Sequence, residues 1–286
     1  MPYSNINNLA FYGGGKVRKT KMPSRRAMSS FEISSIKEVL KYYKEIDQDP
    51  PYDGIFQKKY QNNFSKLMNG GYSQAVSSGS AACFVGVRSL RLPKNSEVII
   101  SPVSDSGSLF AITESNLIPV IVDSFYDSYN TSWEEIKKGI TKKTSAIFLV
   151  HSIGNGLEDM KKIYFEAKKL NLKVIEDCSQ SPFAKSCTNC IALSKCKNNI
   201  CKEEFVGTYS DVAVFSTMYR KSLQTGGSGG IVFTKKYSVY KNILEEADRG
   251  RPKWSKKYNS RNPGQARVSA LNFNTNEISC AIGISS

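Results

Sequence analysis

A lysine, an acid and a glycine-rich turn are the residues of this sequence whose types and spacing could do chemistry. Lys221 follows Ser216 in the segment 216–221 and precedes the turn 225–230, while Asp177 ends an apolar run upstream. A lysine amine can form a Schiff base with a carbonyl group, and a carboxylate can keep a pyridine nitrogen protonated. Glycines and hydroxyl groups suit a phosphate. Together these residues meet the needs of pyridoxal phosphate, a cofactor that acts as an electron sink.

A second segment that could bind a phosphate is 77–82, Ser-Ser-Gly-Ser-Ala-Ala, which lies between a short apolar strand and a predicted helix. The free N–H groups and the positive dipole end of a helix N-terminus attract anions. Each signal also has an ordinary structural explanation. The segment could be a tight turn with a serine cap, Asp177 a helix cap, and Lys221 a solvated charge. Their combination favours the cofactor.

Alternating apolar runs and amphipathic segments predict the elements that position these residues. Strands are predicted at 74–76, 97–100, 118–122, 145–150, 172–175, 212–215 and 230–233. Helices are predicted at 31–44, 52–67, 81–90, 108–115, 132–140 and 157–170. Near-continuous apolar strands separated by helices indicate an α/β fold with a mostly parallel sheet covered on both faces. Asp177 then falls at the carboxyl end of a strand, where such sheets bind ligands.

The composition is ordinary for a globular protein, and the charge points to an anionic partner. The chain has 286 residues and a formal charge of +15. Positive charge is concentrated in 16–26 and 249–267, which contain no acid. Neither stretch carries a nucleic-acid-binding signature, so nucleic acid is not an expected partner. No apolar run is long enough to span a membrane, and 1–6 lacks the apolar core of a signal peptide, so a cytoplasmic location is expected.

Six motifs in the segment 31–286 show a resemblance to a known family. They are Val-Ser-Ser-Gly-Ser-Ala-Ala at 76–82, Val-Ile-Glu-Asp-x-x-Gln at 174–180, Val-Gly-Thr-x-x-Asp at 206–211, Phe-Ser-x-x-x-x-Lys at 215–221, Thr-Gly-x-x-Gly-Gly at 225–230 and Asn-x-x-x-x-Glu-Ile-x-x-Ala-Ile-Gly at 272–283. In this order they resemble the DegT/DnrJ/EryC1/StrS family of pyridoxal-phosphate sugar aminotransferases.

The resemblance implies a role for each matching residue. Lys221 would form the Schiff base (the internal aldimine) and later act as acid and base in the proton shift, while Asp177 would pair with the pyridine nitrogen. Gln180 would lie near the 3-oxygen of the cofactor. Asn272 would reach the phosphate region of a neighbouring subunit, and His151 would lie close to the active site. The residues that would hold the phosphate are Gly79, Ser80, Ala81 and Ser216.

The resemblance also implies a fold and partners. The fold would be aspartate-aminotransferase-like (fold type I), with a large domain built on a mostly parallel seven-stranded sheet. The sequence would divide into an N-terminal arm at 1–30 and this large domain at 31–286, with the small C-terminal domain largely missing. The expected assembly is a homodimer. The expected substrates are glutamate, as amino donor, and a nucleotide-linked keto sugar for surface polysaccharide or related sugar biosynthesis. The stretch 249–267 would be a flexible, substrate-facing loop whose charge suits a diphosphate.

Three departures from the family pattern bear on the site. The family places an aromatic ring over the cofactor just after the strand 97–100, and the segment 101–107 contains no aromatic residue. The turn 225–230 is one residue longer than the family's and lacks its acid. The arginine that the family carries after Asn272 is absent, and Asn274 follows instead. Without the aromatic ring after 97–100, either the cofactor is not stacked in this way or another residue supplies the stacking.

A cysteine-rich insert at 185–203 makes the chain longer than the family pattern. Four thiolates within a short segment can surround a tetrahedral ion, and the neighbouring lysines would offset their charge. The spacing differs from that of a zinc ribbon because only one pair has the Cys-x2-Cys form. A structural zinc ion and free thiols are both open, with zinc favoured over an iron–sulfur cluster. The candidate ligands are Cys187, Cys190, Cys196 and Cys201.

Two alternatives to the aminotransferase hypothesis stay open. One is a dehydratase of the same fold that uses pyridoxamine phosphate on a sugar. Some of those enzymes lack the lysine or carry an iron–sulfur cluster, so Lys221 argues against this alternative and the cysteine cluster keeps it open. The other is a truncated, non-catalytic relative that binds the cofactor or a sugar nucleotide without turnover, which the missing aromatic ring supports.

Overall fold

The computed structural model describes residues 9–21, 28–157, 160–187 and 203–286. The strands are β1 (Tyr72–Val76), β2 (Glu97–Ile100), β3 (Ile118–Ile121), β4 (Thr144–Val150), β5 (Lys173–Asp177), β6 (Lys185–Cys187), β7 (Glu203–Phe205), β8 (Val212–Ser216) and β9 (Gly230–Thr234). The helices are α1 (Ser30–Glu45), α2 (Ile55–Leu67), α3 (Gly79–Ser89), α4 (Ser106–Thr113), α5 (Trp133–Gly139), α6 (Met160–Lys169), α7 (Tyr237–Ala247) and α8 (Glu277–Ser285).

Seven of the strands form one sheet, in the order β1-β9-β8-β5-β4-β2-β3. β9 is antiparallel to both of its neighbours, and the other neighbouring pairs are parallel. The α/β fold with a mostly parallel seven-stranded sheet is thus confirmed. The parallel strands point their carboxyl ends to the same edge, and this edge carries the site described below.

Helices cover both faces of the sheet because neighbouring strand residues point to opposite sides. In β2, Val98 and Ile100 join the core that contains residues of α3, α4 and α7, while Ile99 joins the core under α5 and α6. A third cluster packs Phe64 of α2 and Cys280 of α8 against β8 and β9. The near-continuous apolar strands of the sequence reflect this two-sided burial.

The main differences from the predicted elements are additions. α7 and α8 are absent from the predicted helices, and the N-cap residue of α7, Lys236, makes no side-chain cap. β6 and β7 were missed because three-residue strands are too short to show a pattern; they pair antiparallel, Lys185 with Phe205. The part of the chain that the structure describes contains no helix long and apolar enough to cross a membrane.

A single buried carboxylate, that of Glu277, joins the three helices α1, α2 and α8. It accepts hydrogen bonds from the backbone N–H groups of Phe56 (3.0 Å) and Gln57 (2.8 Å) and from the hydroxyl of Tyr43 (2.7 Å). The N-cap residue of α2 is Gly54, which has no side chain to offer, so Glu277 caps α2 from a distant part of the sequence. A negative charge at a helix N-terminus is also stabilised by the helix dipole.

We expect Glu277→Gln to lower the free energy of unfolding by about 2–3 kcal/mol, because an amide would turn its own N–H group toward these donors and leave one unsatisfied. Urea denaturation followed by circular dichroism measures the loss. Glu38→Gln, at an exposed position of α1, is the matched control and should change stability by less than about 0.5 kcal/mol. Equal stabilities of the two variants would contradict the capping role.

Candidate functional site

A cavity of about 260 Å³ lies where the carboxyl ends of β5 and β8 meet the N-terminus of α3. Six residues predicted from the sequence line it: Gly79, Ser80, Asp177, Gln180, Ser216 and Lys221. Ser78 and Ser228, from the segments 77–82 and 225–230, also line it. The lining further includes residues to which the sequence analysis gave no role at the site: Cys83, Asp105, Gly107, Ser108, Ser179 and Met218. The fold therefore brings the lysine, the acid and the small hydroxylated residues to one place.

The N-terminus of α3 forms one end of this cavity. The side chain of Ser78 caps the helix by accepting a hydrogen bond from the N–H of Ala81 at 3.0 Å. Gly79 lies so close to β8 that a Cβ atom there would be 2.7 Å from both Cβ and Oγ of Ser216. Glycine is thus required for this approach, which leaves the first N–H groups of α3 beside a serine hydroxyl. Such an arrangement suits a phosphate.

Two residues predicted to contact the cofactor do not line the cavity. Ala81 is buried, and its N–H group serves the Ser78 cap. Asn272 is exposed, and its Oδ1 accepts hydrogen bonds from the backbone N–H and the side-chain amide of Asn274, at 3.0 and 2.7 Å. Asn272 was predicted to act toward a neighbouring subunit, and that role stays a prediction.

Asp177 ends β5 with a buried carboxylate that is hydrogen-bonded on both oxygens. Its Oδ1 accepts from the N–H of Ser179 at 2.9 Å, and its Oδ2 accepts from the hydroxyl of Ser108 at 2.7 Å. The Sγ of Cys83 lies 3.9 Å from the same Oδ2. Burial, followed by the charge of Asp177, raises the pKa of the Cys83 thiol well above its ordinary value. Cys83 therefore stays a neutral thiol beside the carboxylate.

Lys221 is half-buried in the cavity wall, on the connection between β8 and β9. This connection folds back on itself: the N–H of Thr217 donates to Gly229 O at 2.8 Å, and that of Tyr219 to Gly227 O at 3.0 Å. The N–H of Lys221 donates to Met218 O at 2.9 Å and forms a turn. The longer glycine-rich turn thus keeps the lysine next to the carboxyl end of β8.

The N-terminus of α4 occupies the side of the cavity where the family pattern expects an aromatic ring. Asp105 caps this helix by accepting from the N–H of Gly107 at 2.9 Å, and both residues line the cavity. A Cβ atom on Gly107 would lie 2.6 Å from Ser80 Oγ, so α4 packs tightly on the start of α3. None of the described residues that line this cavity is aromatic, so none of them supplies a stacking ring in place of the one missing from 101–107.

His151 and Glu176 form a buried pair just behind the cavity. Nδ1 of His151 accepts from the N–H of Leu157 at 3.0 Å, so Nε2 carries the proton and donates to Glu176 at 2.8 Å. The N–H groups of Gly207 and Ser210 also donate to this carboxylate. Burial would raise the pKa of Glu176, but the hydrogen bonds outweigh burial and hold it below its ordinary value. His151 therefore supports the strand that carries Asp177.

The basic stretch 249–267 is partly neutralised by acids that lie outside it. Arg249 (2.7 Å), Arg251 (3.5 Å) and Lys253 (2.7 Å) all form ion pairs with the buried carboxylate of Asp248. Arg267 lies 3.5 Å from Glu245, and Lys253 also contacts Asp53. Three basic residues of the stretch are exposed, and the described residues provide no acid that pairs with them: Lys256, Lys257 and Arg261.

The predicted zinc ligands fall mostly outside the described residues. Cys190, Cys196 and Cys201 lie in the segment 188–202, and Cys187 is the last residue of β6. The zinc site therefore stays a prediction. Cys83, Cys178 and Cys280 are buried free thiols.

A model of the DegT/DnrJ/EryC1/StrS aminotransferase family matches residues 35–286. The GDP-perosamine synthase of Escherichia coli O157:H7 is 31% identical over 197 residues, which is 69% of this chain and 50% of that protein. The dTDP-4-dehydro-2,6-dideoxy-D-glucose 3-dehydratase of Saccharopolyspora spinosa is 27% identical over 207 residues, 69% of this chain and 41% of that protein. The chain spans about half the length of the curated relatives it matches.

Solved structures share the fold. The aminotransferase from Psychrobacter cryohalolentis matches with a TM-score of 0.76 at 24% identity, over 92% of this chain and 62% of that chain. NtdA from Bacillus subtilis with bound PMP matches with a TM-score of 0.74 at 23% identity, over 95% of this chain and 57% of that chain. At these identities the likeness shows that this chain shares the fold of these proteins.

We expect Glu176→Gln to destabilise the protein at neutral pH by about 2–4 kcal/mol, because the amide cannot accept from all three donors. A carboxyl whose pKa is lowered on folding stabilises the folded state above its unfolded pKa, and this stabilisation is lost as the pH falls through the lowered value. The variant should therefore lose less stability than the wild type between about pH 5 and pH 3.

Urea unfolding at several pH values measures both effects. Glu135→Gln, at a residue on the outer face of α5 paired with Lys138, is the control and should follow the wild type. A Glu176→Gln variant with the acid sensitivity of the wild type would contradict the assignment.

Proposed function

The chain belongs to the DegT/DnrJ/EryC1/StrS aminotransferase family, and from this premise we propose that it is a pyridoxal-phosphate-dependent sugar aminotransferase. It would move an amino group from glutamate to a nucleotide-linked keto sugar, in surface polysaccharide or related sugar biosynthesis. One observation carries the proposal: Lys221 and Asp177 line the same cavity as Ser216 and the start of α3.

The residues present fit the cofactor. A buried carboxylate with a fixed orientation suits a pyridinium nitrogen, and Asp177 provides it. The first N–H groups of α3, with Ser80 and Ser216, would hold the phosphate. The side-chain oxygen of Gln180 accepts from the N–H of Ile153 at 3.0 Å, so its NH₂ group would be the donor to the cofactor's 3-oxygen.

Lys221 would serve as the amine that binds the cofactor covalently and as the group that moves protons. The bound cofactor supplies an electron sink for the electrons of the bonds broken at the amino-bearing carbon. A half-buried amine on the cavity wall can take a proton from that carbon. It can then return a proton to the neighbouring carbon and so complete the proton shift. Ser228, whose hydroxyl donates to Ser77 O at 2.7 Å, keeps the glycine-rich turn over this end of the cavity.

Two observations support a nucleotide-linked substrate: the activities of the relatives and the positive charge of the chain. The matched relatives include a GDP-perosamine synthase and a transaminase of a dTDP-linked sugar. Since Arg249, Arg251 and Lys253 are engaged by Asp248, we propose that a diphosphate is bound by the exposed residues of the same stretch, Lys256, Lys257 and Arg261. We also propose a homodimer, in which the exposed Asn272 reaches the neighbouring subunit's phosphate site.

A dehydratase is the second candidate, because one relative is a sugar 3-dehydratase. The two candidates differ in what happens to the substrate. An aminotransferase replaces a carbonyl oxygen of the sugar by an amine and consumes glutamate stoichiometrically. A dehydratase removes a hydroxyl group, and its sugar product carries no added nitrogen. The mass of the sugar product distinguishes them.

The decisive residue is Lys221. We expect borohydride reduction of the wild type with pyridoxal phosphate to leave a stable secondary-amine adduct on Lys221, located by peptide mass mapping. We expect the unreduced wild type to convert glutamate to 2-oxoglutarate. Lys221→Ala should lose the adduct and about 10³-fold or more in glutamate conversion, because the covalent amine and the proton carrier are both removed.

The matched control is Lys235→Ala, at an exposed lysine just after β9, which should keep both the adduct and the activity. Glutamate conversion by Lys221→Ala at the wild-type rate would contradict the proposed mechanism. An adduct that forms on the wild type without any glutamate conversion would favour the non-catalytic relative.

A further inference from the structure

We infer that Ser108 is a positioning residue for Asp177. Its hydroxyl donates a hydrogen bond that fixes the orientation of the carboxylate that would hold the pyridine nitrogen of the cofactor. The inference rests on the proposed function. It concerns a residue of α4 that no motif of the sequence singled out. The observation behind it is the 2.7 Å hydrogen bond from Ser108 Oγ to Asp177 Oδ2, between two groups that are almost fully buried.

The contact is made in a setting where it matters energetically. Ser108 is 1% exposed and Asp177 is 5% exposed, so bulk water has little access to replace the hydrogen bond between them. A hydrogen bond to a charged group in such surroundings is stronger than one at the surface. A serine inside a helix commonly bonds to the carbonyl of the preceding turn, whereas the Ser108 hydroxyl reaches across to β5.

The geometry leaves room for the cofactor. A carboxylate offers about four lone-pair positions. The hydrogen bond from the Ser179 N–H uses one position on Oδ1, and the hydrogen bond from the Ser108 hydroxyl uses one on Oδ2. The carboxylate is therefore held by one donor from the turn that follows β5 and one donor from α4. It still has acceptor positions for a pyridinium N–H. The thiol of Cys83, 3.9 Å away, is a weaker third neighbour.

Two features make this position more important here. The described residues lining the cavity include no aromatic ring to orient the cofactor by stacking, so its orientation depends more on Asp177. The same helix, α4, brings Asp105 and Gly107 to the wall where the ring is missing. The Ser108 hydrogen bond thus joins this wall to the carboxylate that would pair with the pyridine nitrogen.

The test compares pyridoxal phosphate with its 1-deaza analogue, in which a carbon replaces the pyridine nitrogen. We expect Ser108→Ala to weaken binding of pyridoxal phosphate by about tenfold. Binding of the analogue should change by less than about twofold, because the analogue offers no N–H to Asp177. Equilibrium binding followed by absorbance gives both dissociation constants. Ser108→Thr keeps the hydroxyl and should restore the affinity for pyridoxal phosphate.

Further variants keep the experiment decisive. If Ser108→Ala folds poorly, Ser108→Cys keeps the size with a weaker donor and should give an intermediate, nitrogen-dependent loss. Ser115→Ala, which removes a buried hydroxyl bonded to Ala111 O just after α4, should leave the ratio of the two affinities close to that of the wild type. An equal loss of affinity for both ligands, or no loss for either, would overturn the role of Ser108. Failure of the wild type to bind pyridoxal phosphate would overturn the proposed function, and this inference with it.

Discussion

The site depends on two neighbouring carboxylates at the end of β5 that point to opposite faces of the sheet. Alternation along a strand sends Glu176 to one side and Asp177 to the other. Glu176 accepts hydrogen bonds from His151, Gly207 and Ser210, so it ties β5 to the loops that follow β4 and β7. Both acids are buried, and an unsatisfied buried carboxylate is costly. The surrounding donors therefore have to be in place for the strand end to hold its position.

Asp177 then presents its charge on the side of α3 and α4, where the cavity lies. The close approach of Gly79 to Ser216 brings the positive end of α3 to the same cavity. The connection between β8 and β9 places Lys221 on the remaining wall. Asp177, the N-terminus of α3 and Lys221 thus lie around one cavity. They do so because their strands end at the same edge of the sheet, and because the close contact between Gly79 and Ser216 lets α3 begin there.

The sequence predicted the parts of the fold that leave a local signal. Long apolar strands such as β2 were found at the predicted residues, since burial on both faces leaves a continuous apolar run. Asp177 and Lys221 were identified because strand ends and glycine-rich turns are visible in sequence. Ser108 was predicted only as the start of a helix. Its contact with Asp177 joins residues 69 positions apart, and nothing in the local pattern distinguishes it from a surface serine.

The charge that the chain leaves exposed also depends on contacts between distant residues, which the local sequence does not reveal. All charged residues of the stretch 249–267 are basic, which predicts an open anion-binding loop, yet Asp248, Glu245 and Asp53 neutralise part of this charge. Asp248 is buried, and although burial raises its pKa, the ion pairs with Lys253 and Arg249 hold its pKa below the ordinary value. A buried acid of this kind is retained only with its cations, so those cations are structural. Charge that remains exposed after such pairing, as at Lys256 and Lys257, is the part of the stretch that can meet a ligand.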